Sequence, residues 1–296
     1  MILAAGFGTR LRPYTLIRPK PLFPVLNRPL LHILLDMAQD AGCKRIVVNG
    51  HHLADQIKAA LAHYPHVFFQ AEEKILGTGG SLRRAMNMLA DAPLLVMNGD
   101  IVHTIDLAAL YRHHLQSGDK VTMALHDCER FNSVVVAGDR VRGFGPDMNG
   151  AKLAFTGIHV VDPRILTRIP ENSFFHIIDL YQELAREGSI GLCRVDGAYW
   201  QDMGTPEDYL RVHRDLLIGP ARGIINGLGE RQGDWLVAGD ARLASGVRFE
   251  DWGCIGPDVE IGAGARLGRA VVWPGARIGA GTIVEDAIVT GGRADE

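Results

Sequence analysis

Over residues 1–100 the apolar positions alternate between short runs and helical faces. Ile2 to Ala5 is a short apolar run that reads as a buried strand. Leu30, Leu34, Met37, Ala38 and Ala41 fall on one face at helical spacing, which predicts a helix over 30–41. Ile46-Val47-Val48 reads as a strand, and Leu53, Ile57, Ala60, Leu61 and Tyr64 make a second helical face. Val67-Phe68-Phe69 is a strand again, and Leu82, Ala85, Met86 and Leu89 give a third helix. Leu94 to Met97 is a continuous apolar strand that ends in Asn98-Gly99-Asp100. The alternation, with strands apolar on both faces, predicts an α/β fold: a Rossmann-like, mixed but mostly parallel sheet with helices on both faces.

From about residue 107 the pattern loosens. A helix is expected at 107–116, strands near 121–126, 133–137 and 153–161, and a helix at about 176–187. Strands near 190–195 and 198–201 follow, then a helix from Pro206 to about Leu217. This half is expected to hold antiparallel strands and a second substrate's pocket. Gly219 to Gly233 carries five glycines and reads as a linker, so the predicted organisation is a domain over 1–218, a linker over 219–235 and a repeat over 236–290. In the repeat, Val237, Leu243, Phe249, Ile255, Ile261 and Leu267 are six residues apart, and the register resumes at Val272, Ile278 and Val284. Sixfold spacing fits neither helix nor hairpin. It resembles the hexapeptide repeat of left-handed parallel β-helices, about three coils of three hexads each. Phe249 and Val272 take inward places there. Trp252 and Trp273 are therefore expected to face outward, in a patch that a second copy covers, making a homo-oligomer through the C-terminal part. The alternative is that these rings pack on the chain's own first domain.

Composition narrows the class. With 47% hydrophobic and 22% charged residues over 296 positions, the chain can build a sizeable core. A net charge of −3 implies no general attraction to nucleic acid or anionic membrane. Cys43, Cys128, Cys193 and Cys254 are scattered without Cys-x-x-Cys spacing, which argues against a zinc site or a disulfide scaffold. The pairs His51-His52 and His113-His114 lack a partner at metal-binding spacing. No apolar run reaches the roughly 20 residues that cross a membrane, and no signal-peptide pattern opens the chain, so a cytoplasmic location is expected. The first strand begins at the first residue, which leaves open whether residues precede it.

The chemistry concentrates where the first strand ends. Leu3-Ala4-Ala5-Gly6-Phe7-Gly8-Thr9-Arg10-Leu11-Arg12-Pro13 places two glycines one residue apart, and Pro19-Lys20-Pro21-Leu22 follows. Glycine lets the backbone turn sharply and approach a ligand. Successive N–H groups in such a turn make a concave site for anions. Arg10 and Lys20 add two positive charges, so the segment reads as a phosphate grip. It is neither a Walker loop nor Gly-x-Gly-x-x-Gly. In a parallel sheet ligands bind beyond the carboxyl ends of the strands. Asp100 and Asp202, the latter ahead of Met203-Gly204-Thr205-Pro206, stand at such ends. A lone strand-end Asp also serves as a cap or turn former.

The full string resembles the signature of the sugar-nucleotide pyrophosphorylases, which join a sugar 1-phosphate to a nucleoside triphosphate. That resemblance covers nearly the whole chain and extends to mannose and heptose 1-phosphate guanylyltransferases and to the muramyl 1-phosphate uridylyltransferase group. It implies nucleotide contacts at Leu3, Ala4, Gly6, Gly8, Thr9, Arg10, Lys20 and Asp100, with Arg10, Lys20 and Asp100 catalytic. It implies magnesium as cofactor, held by Asp100 and Asp202. Leu76-Gly77-Thr78-Gly79-Gly80 resembles the family's loop against the base, implying that role for Gly77 and Thr78. Thr78 and Ser81 are also plain helix-cap candidates. Gln70, Glu72 and Glu73 precede it. A carboxylate suits guanine and a Gln suits uracil or thymine, so these residues leave the base open. With Glu72 and Glu73 just ahead of it, the loop's resemblance to that of mannose and heptose 1-phosphate guanylyltransferases implies GTP, narrowly ahead of UTP. Asn132 and Phe155-Thr156-Gly157-Ile158 match the family's sugar contacts, so Asn132, Thr156 and Gly157 are sugar candidates. The family's Glu-Lys-Pro has no counterpart in Gly143-Phe144-Gly145-Pro146-Asp147, and Lys152 or an arginine is the candidate replacement. The implied partners are an NTP and a sugar 1-phosphate. An acyltransferase is disfavoured because the last histidine, His213, precedes the repeat. A non-catalytic subunit of the same fold is disfavoured by the retention of Arg10, Lys20, Asp100 and Asp202.

Overall fold

A computed structural model describes residues 1–146 and 148–291. The chain divides into two compact units, one of residues 1–7, 19–21 and 34–200, the other of residues 8–18, 22–33 and 201–296. No helix among the described residues is long and apolar enough to cross a membrane.

The first unit is built on a nine-stranded sheet. Its spatial order is Val67–Ala71, Ile46–Gly50, Ile2–Leu3, Leu94–Asn98, Ala151–Val161, Val121–His126, Ile190–Arg194, Arg140–Phe144 and Asn132–Ala137. The first four are parallel. Ala151–Val161 runs antiparallel to both its neighbours, Leu94–Asn98 and Val121–His126, so the sheet is mixed. The apolar strands Ile46–Gly50 and Leu94–Asn98 are buried because helices cover them, as the alternation predicts. Val96, Met123, Val160 and Leu166 are among the core side chains with no exposed surface. Asp106 caps the helix Leu107–Ser117 by accepting from the Ala109 N–H at 2.8 Å, and Gly118 ends it in the left-handed region. Arg140–Phe144 is a strand that the sequence pattern did not single out. Val141 is its one buried apolar side chain, beside the exposed Arg142 and the buried Gly143, which has no side chain, so its apolar signal is weak.

The second unit carries the repeat. Trp235–Val237, Arg248–Ile255, Arg266–Val272 and Ile283–Val289 are parallel neighbours, with Phe249 opposite Leu267 and Leu267 opposite Val284. Arg242–Leu243, Glu260–Ile261 and Arg277–Ile278 form a second parallel set. Ile255, Ile261, Leu267, Val272 and Ile278 fill the core between them. Leu243 remains 36% exposed because its strand lies at the open edge of its sheet. The stretch expected as a linker is structured in part: Glu230–Gln232 pairs antiparallel with Trp235–Val237. Gly227 lies so close to Leu26 that a Cβ there would come within 2.7 Å of the Leu26 Cβ.

One expectation is corrected here. Trp252 and Trp273, expected to form an exposed outward patch, are buried at 5% and 1% exposure, and Trp235 at 2% belongs to the repeat's core. Trp235 stacks on Phe249 at 4.4 Å, and Trp273 packs edge-on to Phe23 at 4.7 Å. The apolar faces are covered by the chain itself, which removes the observation that motivated a homo-oligomer.

Candidate functional site

In the first unit the end of the first strand is fixed by its neighbours. Ile2 and Leu3 pair in parallel with Met97 and Asn98. The turn after Asn98 passes so close that the Gly99 N–H donates to the Leu3 carbonyl at 2.8 Å, and a Cβ at Gly99 would meet that oxygen at 2.8 Å. Glycine is therefore required there, and the tight turn sets Asp100 beside the root of the glycine turn. The Lys20 ammonium donates to Asp100 Oδ2 at 2.6 Å. The lysine side chain is 9% exposed and the aspartate 33%. Gly6 is not demanded by packing among the described residues, since a Cβ there would have no neighbour within 4 Å.

Beneath this turn lies a buried polar network that the sequence pattern missed. Asn49 interrupts an apolar strand and is 2% exposed. Its Oδ1 accepts from the Ala4 N–H at 2.7 Å, and its Nδ2 donates to Glu72 Oε1 at 2.8 Å and Ser81 Oγ at 3.1 Å. Gln70 Nε2 donates to the same Glu72 oxygen at 3.1 Å, and Glu72 Oε2 accepts from the Leu76 N–H at 3.3 Å. The Ser81 hydroxyl in turn donates to the Gly77 carbonyl at 2.7 Å. Ala4 and Gly77, expected as a nucleotide contact and a base-side residue, are thus joined through side chains. The signal was present in Val47-Val48-Asn49, since a polar residue inside an apolar strand needs partners.

The same contacts correct the expected role of Glu72. Its carboxylate accepts three hydrogen bonds from the chain and is 3% exposed, so it braces the loop rather than offering itself to a base. Glu73 is exposed. Thr78 is likewise engaged: its hydroxyl accepts from the Ile177 N–H at 3.1 Å and so caps the helix Ile177–Arg186. The N–H groups of Gly79 and Gly80 both donate to the Phe175 carbonyl. Gly77 lies with φ +69 where a Cβ would meet that carbonyl at 2.7 Å. Close approach of these two backbones accounts for the glycines.

Of the sugar candidates, Thr156 and Gly157 lie inside the strand Ala151–Val161, and Asn132 begins the last strand in the sheet's order, Asn132–Ala137. Gly157, at φ +77, sits where a Cβ would meet the Asn98 amide nitrogen at 2.6 Å, two residues before Asp100. Thr156 is buried; its hydroxyl donates to the Ala124 carbonyl at 2.8 Å and its carbonyl accepts from the Trp200 indole at 2.8 Å. Asn132 bridges Asp127 and the Cys128 N–H at 2.8 and 3.0 Å. The rings of His126 and Phe131 meet Trp200 at 4.7 and 5.4 Å. Burial lowers the His126 pKa. Lys152 donates to the Pro146 carbonyl at 2.5 Å. Asp147 lies outside the described residues.

In the second unit Gly8, in the left-handed region at φ 59, opens a short turn over Thr9–Leu11 that carries Arg10. Arg10 stands 3.9 Å from Asp202, with side chains 64% and 12% exposed. Gly204 is packed between them. A Cβ there would lie 2.6 Å from Asp202 Oδ2 and 3.1 Å from both terminal nitrogens of Arg10. Thr205 then caps the helix Pro206–Leu217 by accepting from the Asp208 N–H. Gly204→Ala should therefore push Asp202 and Arg10 apart and lower turnover by about tenfold or more, the scale of a misplaced reacting contact, with the melting temperature unchanged. Steady-state rates beside a thermal melt check this; wild-type turnover in the variant contradicts it.

A glycine turn, a buried lysine and an acid at the carboxyl ends of adjacent parallel strands define a phosphate-handling α/β protein. Comparison with known proteins makes the class specific. The chain belongs to the nucleotidyl transferase family, whose model matches residues 1–218. It is 30% identical to a mannose-1-phosphate guanylyltransferase of Mycobacterium tuberculosis, over 96% of this chain and 82% of that protein. It is 26% identical to a UTP–glucose-1-phosphate uridylyltransferase of Synechocystis, over 98% and 87%. Among solved structures, HddC of Yersinia pseudotuberculosis, solved with GMP-PN, superposes with a TM-score of 0.61 at 24% identity, over 71% of this chain and 96% of that one. A Bacillus anthracis protein solved with sucrose gives 0.67 at 20% identity, over 76% and 96%. At these identities the two structures speak for the fold.

Proposed function

We propose that the chain makes an NDP-sugar and pyrophosphate from an NTP and a sugar 1-phosphate, with GTP and mannose or heptose 1-phosphate as the preferred pair. The observation that carries this reading is the Lys20–Asp100 ion pair at the root of the glycine turn. A phosphate oxygen of the sugar 1-phosphate forms a bond to the α-phosphorus as the bond to the departing pyrophosphate breaks. Little covalent help is needed; positioning and charge neutralisation do most of it. The backbone from Leu3 to Thr9 supplies N–H groups to phosphate oxygens. Lys20 and Arg10 offset charge on the triphosphate and the leaving pyrophosphate. Gly77 borders the base, and Asn132, Thr156 and Gly157 border the sugar.

Asp100 and Asp202 are the residues that would hold magnesium, an ion that takes oxygen ligands, usually one or two carboxylates together with phosphates and water. Magnesium, when bound, neutralises phosphate charge. Asp100 keeps a third of its side-chain surface open, as such a ligand requires. GTP is favoured by the kinship to proteins named guanylyltransferases from Mycobacterium tuberculosis and rice. UTP is the second reading, favoured by the Synechocystis relative and by the internal use of Glu72. The repeat is read as a left-handed parallel β-helix. Support comes from its two parallel strand sets, in which partners such as Phe249 and Leu267 lie one coil apart; an experimental density map would read the handedness directly.

Pyrophosphate release from four NTPs, each with a panel of sugar 1-phosphates, tests the function. GTP with mannose or heptose 1-phosphate should release it fastest and only with magnesium present. A strong UTP preference selects the second reading, and no release from any pair overturns both.

A further inference from the structure

Trp273 sits in the repeat, 1% exposed, yet its ring does not join the repeat's own core. It faces residues from three other stretches of the second unit. Phe23 meets it edge-on at 4.7 Å, Tyr14 at 6.1 Å and Tyr209 at 6.4 Å. The Arg18 guanidinium lies over its face, 5.0 Å from the ring centroid. The indole N–H donates to the Tyr209 hydroxyl at 3.0 Å, and that hydroxyl donates to the Pro24 carbonyl.

Both charged candidates of this unit hang on those stretches. Arg10 belongs to the segment 8–18, which is closed on itself by the Thr15 hydroxyl donating to the Gly8 carbonyl at 3.0 Å and by the Arg18 N–H donating to the Tyr14 carbonyl at 3.2 Å. Tyr14 and Arg18, the far end of that segment, rest on Trp273. Asp202 leads through Thr205 into the helix Pro206–Leu217, and the Tyr209 N–H donates to the Thr205 carbonyl at 3.0 Å. Tyr209 also rests on Trp273. Arg10, being 64% exposed and 3.9 Å from its partner, is not fixed by its own side chain, so its backbone must be held from behind.

We propose that Trp273 is a positioning residue for the reaction: one indole, contributed by the repeat, sets the spacing of Arg10 and Asp202 by clamping the segments that carry them. This rests on the nucleotidyl-transfer reading given above. Burial alone would be served by any large aliphatic side chain. Trp adds a ring face for the Arg18 cation and an N–H for the Tyr209 oxygen, and Phe keeps the first of these.

The test compares Trp273→Leu, Trp273→Phe and Ile261→Ala in the full chain. Ile261 is 2% exposed in the repeat core, so its truncation destabilises the repeat without touching the clamp. Trp273→Leu should lower kcat by about tenfold or more with the KM for NTP little changed, the effect of a misplaced rather than a lost contact. Trp273→Phe should recover turnover to within about threefold of wild type. Ile261→Ala should lower the melting temperature and leave kcat alone at a temperature where the protein is folded. The proposal is overturned if Trp273→Leu keeps wild-type kcat, or if Ile261→Ala loses as much. Tryptic cleavage after Arg10, whose bond to Leu11 is the cleavable one in a segment where Arg12 and Arg18 are followed by proline, reads the clamp without any substrate. Faster cutting in Trp273→Leu alone supports it even if no NTP is turned over, and equal cutting in wild type, Trp273→Leu and Ile261→Ala overturns it.

Discussion

Lys20→Ala is expected to cut turnover by about 100-fold or more, the usual cost of removing a preorganised charge from a reacting phosphate. The lysine is buried to 7% exposure and its ammonium is held 2.6 Å from Asp100, so the charge is already fixed in place and needs no rearrangement when a phosphate arrives. Fixed charges in a partly dry site act more strongly than mobile ones in water. Lys20→Arg should not restore the rate, because a planar guanidinium does not fill the space of a compact ammonium. Stability should change little by comparison. Asp100 keeps enough open surface for water to replace the lost ammonium. Steady-state kinetics and a thermal melt on the same preparations separate the two effects. A loss below about threefold would make Lys20 a bystander and leave the grip to backbone N–H groups alone.

The sheet was legible because its strands are apolar on both faces and separated by helical faces. The helix starts at 107 and at Pro206 were legible in the pattern, and the structure shows Asp106 and Thr205 capping them. Arg140–Phe144 was not, because an edge region with alternating arginines carries little apolar signal. The segment from Leu3 to Lys20 stood out because glycine spacing and fixed cations are properties of the string itself. Its contacts were not readable in the same way. Glu72 and Thr78 are residue types that suit a base-side loop, yet their oxygens accept from Asn49, Gln70, Leu76 and Ile177. A hydrogen-bond partner 23 residues away, as for Asn49 and Glu72, leaves no trace in local pattern. The tryptophans show the same limit. Hexad position alone put Trp273 outside the coil, and only the fold brings Phe23 and Tyr209 against it.

Lowering the pH from about 6.5 should weaken the fold well before the carboxylates titrate, and His159 should account for much of this. It lies on the central strand Ala151–Val161, 2% exposed, between the rings of Phe155 and Tyr181 at 5.4 and 5.5 Å. Neither ring nitrogen has a hydrogen-bond partner. Burial lowers its pKa to about 3, because a charged imidazolium there would have neither water nor an acceptor. The unfolded chain takes up the proton near 6.5 and the native one does not until about 3. The unfolded state thus binds more protons throughout that window, so stability is full above 6.5 and falls as the pH drops towards 3. At about 1.4 kcal/mol per tenfold in proton affinity, the loss across the window is of order 4 kcal/mol. His103 and His213, both lowered to about 4 by burial, act with the same sign. His213 has a local reason as well: its Nε2 accepts from the Leu26 N–H, and a proton on that nitrogen would face another N–H. His159→Leu removes one proton site and one unpartnered polar group, at similar volume. Urea titrations at pH 7 and pH 5 should show stability at pH 7 within about 1.5 kcal/mol of wild type. The variant should take up about one proton fewer on unfolding across this range, so its stability falls less between the two pH values. An unchanged pH slope in His159→Leu would mean that the ring is already charged, or already hydrated, in the native state.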